Sequence, residues 1–113
     1  PGTLSPPYAA SKAAVINFTK IAAANLAEHG ITVNAIAPGI VETSFNWTLD
    51  EEVGVKKSGL APGGFMKLRE DSVPLGRLQQ PHDIANTVAF LASPDASEIT
   101  GETIVVSGGL IMR

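Results

Sequence analysis

An α/β fold with a parallel sheet is what this sequence predicts, on three observations: a long Ala-rich helical stretch, two short apolar strand patterns, and a second helix pattern lying between them. The first stretch runs from about Ser5 to His29. Ile16, Phe18, Ile21 and Leu26 are spread around much of its circumference, and Gly30 follows as a natural C-terminal stop. A helix so small and apolar on several sides is expected to be covered on more than one face, by a sheet and by another subunit. Ile31 to Ala37 reads as a buried strand cut off by Pro38-Gly39. Asn34 sits inside it, where a polar group needs a partner, and is expected to be structural. Further on, Thr48 and Glu51 have capping-box spacing for a short helix, Pro62-Gly63-Gly64 breaks it, and Phe65 to Asp71 supplies another turn or two. Pro81 is placed as the first residue of the next helix, with Asp83 in its first turn and Ile84, Val88 and Leu91 on one face. Thr103 to Ser107 makes the second strand. Two strands alone do not complete a parallel sheet, whose strands are stable between neighbours, so the pattern is that of half a domain.

Composition narrows the class. Hydrophobic residues make up 44% and charged residues 17%, enough for a core, and a formal net charge of -3 offers no electrostatic attraction to nucleic acid or to an anionic membrane. No apolar run approaches the ~20 residues that span a bilayer. With no cysteine there is neither a disulfide framework nor a thiol nucleophile, and His29 and His82 lack a metal-binding spacing, so no metal site is predicted. Pro1 is neither an initiator Met nor the start of a signal-peptide pattern, which predicts a truncated or processed cytoplasmic chain.

The chemistry is concentrated at Tyr8-Ala9-Ala10-Ser11-Lys12. Residues four apart share one face of a helix, and a nearby ammonium favours the phenolate form of a phenol. Tyr8 and Lys12 are therefore a candidate proton donor and its tuner. On spacing alone, an exposed turn with a Tyr half in the core is the commoner explanation. What changes the balance is the company: Pro1-Gly2 and Pro6-Pro7 before the pair, then Gly30-Ile31-Thr32-Val33-Asn34-Ala35-Ile36-Ala37-Pro38-Gly39 with Glu42-Thr43, Pro74-Leu75-Gly76-Arg77, Asp83-Ile84-Ala85, Phe90-Leu91-Ala92-Ser93, Ile99-Thr100-Gly101-Glu102-Thr103 and Gly108-Gly109.

Taken together, this series resembles the C-terminal half of a short-chain dehydrogenase/reductase, over nearly all of residues 1–113. The resemblance implies the C-terminal part of a Rossmann-like doubly wound parallel sheet and an NAD or NADP cofactor. It implies Tyr8 as the proton donor of carbonyl reduction, or the base of alcohol oxidation. Lys12 is implied to hydrogen-bond the nicotinamide ribose and to assist Tyr8. Ser11 is not the family's catalytic Ser; a local hydrogen bond within the helix is expected of it. Pro38, Gly39, Ile40 and Val41, with Thr43, are implied to hold the carboxamide and phosphate side of the cofactor, although an ordinary strand-ending turn would also account for Pro38-Gly39. The segment 44–72 takes the place of the substrate-binding loop. Phe45 and Trp47 fall there, and substrate contact and core packing are equally open to them. The family's Gly-rich turn, its acidic residue, its relay Asn and its catalytic Ser all precede the Tyr, and so would fall before Pro1 in a missing N-terminal half.

Two activities compete within that family. Ile99-Thr100-Gly101-Glu102-Thr103 and Gly108-Gly109-Leu110 are similar to 3-oxoacyl-acyl-carrier-protein reductases. Those enzymes commonly have a shorter stretch between the positions of Gly39 and Gly76, and often a basic residue where this chain has Glu28-His29. The longer loop is similar to that of enzymes acting on small polyols, diols or sugars, which favours a small alcohol and its ketone as the substrate pair. A homotetramer is implied, built through the long helix and the final helix and strand. Outside enzymes, the chain could be an inactive fragment or a scaffold relative, against which Tyr8 and Lys12 are both intact.

Overall fold

The computed structural model describes residues 5–112; Pro1-Gly2 of the motif series lies outside the described residues. The described residues form two compact units, 5–36 with 89–104, and 37–88 with 105–112.

In the first unit, α1 spans Pro6–Leu26. Prolines occupy its first two positions, where a missing N–H costs nothing because those donors have no intrahelical acceptor. A short 3₁₀ turn, Ala27–His29, follows, and Gly30 ends it at φ 68°, its N–H donating to the Ala27 carbonyl at 2.9 Å. Thr19 and Ala23 are buried and Ile16 and Leu26 half-buried, a three-and-four spacing that marks one covered stripe. The stripe is built for close approach: a Cβ placed on Gly101 would lie 3.6 Å from that of Ala23. Val15, Phe18 and Ile21 point away from it, exposed by 52%, 71% and 55%.

Strand β1 is Ala35–Pro38 and β2 is Thr103–Val106, and they pair as a two-stranded parallel sheet. The same offset recurs along the ladder, from Ala35 N–H to the Glu102 carbonyl and from Gly39 N–H to the Val106 carbonyl, both 2.8 Å. β1 starts later than the Ile31 expected from the sequence. Val33 and Asn34 bond instead to the turn before β2: Val33 N–H donates to Thr100 Oγ1 at 3.0 Å, and Gly101 N–H donates to the Val33 carbonyl at 2.7 Å. Asn34 is structural, as expected, donating from Nδ2 to the Ile99 carbonyl at 2.7 Å and accepting at Oδ1 from Glu102 N–H at 3.1 Å.

In the second unit, Met66, Val73 and Leu78 form the core, with Ile40 packed against them. Helix α2 spans Ser44–Leu49 and continues into a π-helical turn, Asp50–Val55; α3 spans Gly64–Asp71. The expected capping box at Thr48 and Glu51 does not form. Thr43, in extended conformation, is the residue preceding α2, and Thr48 lies inside that helix, donating to the Ser44 carbonyl at 3.0 Å. The capping group here is Asp50, buried, whose carboxylate accepts from Gly63 N–H at 2.7 Å and Met66 N–H at 2.9 Å at the start of α3.

Helix α4 is Pro81–Leu91, as expected from Pro81. Asp83 accepts the Gln80 N–H at 2.8 Å, the reciprocal half of a capping box, and takes a two-point contact from Arg77 at 2.7 and 2.9 Å. The Arg77 hydrogen bonds, followed by that from Gln80, hold the Asp83 carboxyl well below the usual carboxylate range. A group so depressed in the folded state contributes stability that is fully present above its unfolded value, about 4, and that is lost as pH falls through the folded value. Asp83→Asn is therefore expected to flatten the acid limb of a thermal-unfolding profile below about pH 4. An unchanged acid limb would exclude the pair as its source.

Candidate functional site

The helical stretch that puts prolines first and alanines after them places Tyr8 and Lys12 one turn apart on α1. Lys12 Nζ lies 5.4 Å from the centroid of the Tyr8 ring, and both side chains are exposed. At that distance the cation faces the ring's electron density, an arrangement available to Lys and an aromatic at i and i+4. Ser11 Oγ donates to the Tyr8 carbonyl at 2.7 Å, so its hydroxyl is used within the helix.

The second group of predicted residues belongs to the other unit and follows β1. Gly39 has a steric reason: a Cβ there would meet Gln79 Oε1 at 2.6 Å and Ser107 Cα at 2.8 Å, so only glycine admits this backbone approach. Val41 pairs with Gln79 in an isolated parallel bridge, made by Gln79 N–H to the Ile40 carbonyl at 3.0 Å and Glu42 N–H to the Gln79 carbonyl at 2.7 Å. In that pattern the N–H and C=O of Val41 itself face away from Gln79. The carbonyl accepts a hydrogen bond from Asn46 Nδ2. Thr43 precedes α2 without using its hydroxyl as a cap, and is half-buried.

Phe45 and Trp47 are 69% and 47% exposed, so neither is a core residue within the described chain. Trp47 lines a cavity of about 340 Å³ together with Glu42, Met66, Lys67, Arg77 and Gln80. The charges around it are largely matched. Lys67 bonds to Glu70 at 3.0 Å and Asp71 at 2.9 Å, Arg77 to Asp83, and Gln80 donates to Glu42 at 2.6 Å.

Sequence reasoning missed Asn46, Asp50 and Arg69, the polar residues that hold the 44–72 segment together. The signal was present, since Asn46 and Asp50 are four apart and share a helix face, both buried. Among the described residues there is no group of His, Cys, Asp or Glu able to hold a metal ion, and no helix long and apolar enough to cross a membrane.

Comparison with known proteins agrees with this architecture. A family model described as Enoyl-(Acyl carrier protein) reductase matches residues 3–111. The chain is 43% identical over 106 residues to a diacetyl reductase [(S)-acetoin forming] of Staphylococcus epidermidis, covering 94% of this chain and 41% of that protein. It is 48% identical over 105 residues to the 3-oxoacyl-[acyl-carrier-protein] reductase FabG of Vibrio cholerae, covering 93% and 38% respectively. Among solved structures, a variant of actinorhodin polyketide ketoreductase with NADPH superposes with a TM-score of 0.86 at 37% identity, over 96% of this chain and 41% of that one. The chain belongs to the short-chain dehydrogenase/reductase family of oxidoreductases, and its helices and parallel strands are part of that Rossmann-like fold. It spans about two-fifths of the length of the curated relatives it matches.

Proposed function

We propose that this chain carries the proton-transferring half of an NAD- or NADP-dependent oxidoreductase that interconverts a small alcohol of polyol, diol or sugar type and its ketone. The observation that supports this most directly is the intact pair on α1, with Lys12 Nζ 5.4 Å from the Tyr8 ring and both side chains open to a ligand. When bound, the nicotinamide would supply or accept the hydride. The chain's own residues handle the rest. The Tyr8 hydroxyl gives its proton to the substrate oxygen as the ketone becomes an alcohol, and takes it back in the reverse direction. Lys12, beside the Tyr8 ring, holds the nicotinamide ribose. Backbone groups of Pro38, Gly39, Ile40 and Val41 and the hydroxyl of Thr43 hold the carboxamide and phosphate side. Phe45 and Trp47 contact substrate.

A small substrate is supported by the length of the 44–72 segment and by the likeness to a diacetyl reductase, since diacetyl is a small dicarbonyl compound. A second reading, reduction of 3-oxoacyl groups on a carrier protein, is favoured by the identity to the Vibrio cholerae enzyme. The complete protein assayed with NADPH and NADH is expected to show a higher kcat/KM for diacetyl or acetoin than for a 3-oxoacyl thioester. The reverse order would move the assignment to the second reading.

A further inference from the structure

Asn46 makes two hydrogen bonds that join parts of the second unit far apart in sequence. Its Nδ2 donates to the Val41 carbonyl, and its Oδ1 accepts from Arg69 Nη1 at 2.7 Å. Only one orientation of the amide satisfies both, because the carbonyl needs a donor and the guanidinium an acceptor. The residue is only 9% exposed, so neither bond can be exchanged freely for water. Arg69 is in turn fixed from another side, its guanidinium 5.4 Å from the centroid of the Phe65 ring. Asp50, one turn after Asn46, secures the N-terminus of α3 through Gly63 and Met66. Gly54 packs so closely that a Cβ there would lie 2.6 Å from Phe65 Cβ. The segment is thus folded upon itself by Asp50 and tied to the turn after β1 by Asn46.

We infer that Asn46, held by Arg69, is the positioning residue that sets the substrate segment against the cofactor-side turn at Val41. The inference rests on the role proposed above for Val41. Asn46 touches neither reactant. It acts by fixing where α3 stands, and α3 carries Met66 and Lys67 into the wall of the cavity that Trp47 lines. A misplacement of that wall by about 1 Å is enough to cost on the order of a hundredfold in productive binding.

The test uses the complete protein and Asn46→Asp, which keeps the acceptor for Arg69 but replaces the donor to Val41 with a like-polarity oxygen, and Arg69→Met, which removes the outer tie. Both variants are expected to raise KM for the ketone by about tenfold or more while kcat at saturation falls less. NADPH affinity, read from its own fluorescence, is expected to weaken several-fold in Asn46→Asp and to change little in Arg69→Met. Amide exchange across Ser44–Asp71 is expected to quicken in both without cofactor or substrate present, a readout independent of turnover. Unaltered exchange overturns the inference even if the protein proves to have a different activity. An unchanged KM, with apparent kcat falling only in proportion to lost folded protein, would likewise overturn it, by reducing Asn46 to a stability residue.

Discussion

Tyr8→Phe in the complete protein is expected to reduce turnover of its preferred ketone by about 10²- to 10⁴-fold while leaving the fold unchanged. The substitution removes one hydroxyl from a side chain that is 48% exposed, and changes at such surface positions usually alter stability within about 0.5 kcal/mol. Loss of activity without loss of structure would therefore report the proton transfer itself. The kinetic pattern adds a second check. A group that acts on the reacting oxygen in the transition state should lower kcat and kcat/KM together and leave NADPH binding near that of the parent. Activity within a few-fold of the parent would remove Tyr8 from the chemistry and return the pair to an exposed turn of helix.

The juxtaposition of Tyr8 and Lys12 could be read from sequence because it depends on a local relation. A phenol and an ammonium four residues apart share a face whenever the stretch is helical, and prolines at the first two positions with alanines after them favour the helix. The same holds for α4, whose start is dictated by Pro81, and for β2, whose apolar run ends in glycines. The rest was hidden because it depends on what lies far away in the chain. Ile31 to Asn34 have strand composition, yet Ile31 N–H donates to the Leu26 carbonyl, and Val33 and Asn34 bond to Thr100, Gly101, Ile99 and Glu102 rather than to a ladder. Thr48 and Glu51 have capping spacing, but the chain turns helical at Ser44 and the capping carboxylate comes from Asp50, thirteen residues before the amide of Gly63 that it binds. Gly39 is legible as a turn glycine, whereas the contact that requires it comes from Gln79 and Ser107. Local spacing thus predicted the helical pair and the start of α4, and tertiary pairing decided where β1 begins and how the 44–72 segment is fastened.

Expressed by itself, the 113-residue chain is expected to self-associate and to bind neither NAD nor NADP measurably. Val15, Phe18 and Ile21 present a continuous apolar face on α1, each more than half exposed, and such faces favour association over a soluble monomer. The sheet adds to this, since β1 and β2 have only one another as neighbours among the described residues and leave outer edges whose backbone groups can pair with other chains. Cofactor binding should fail for a separate reason. The proposed contacts at Tyr8, Lys12, Val41 and Thr43 serve the nicotinamide end, while the pyrophosphate of a dinucleotide is ordinarily held by a Gly-rich turn at a helix N-terminus, a motif this sequence does not contain. The complete protein should behave differently on both counts, binding NADPH and running as a homotetramer in which the α1 face is covered. Light scattering and calorimetry on the two samples side by side decide between these outcomes. A monodisperse 113-residue protein with tight cofactor binding would show that α1 and the turn after β1 form a self-sufficient site, and would withdraw the need for a partner half.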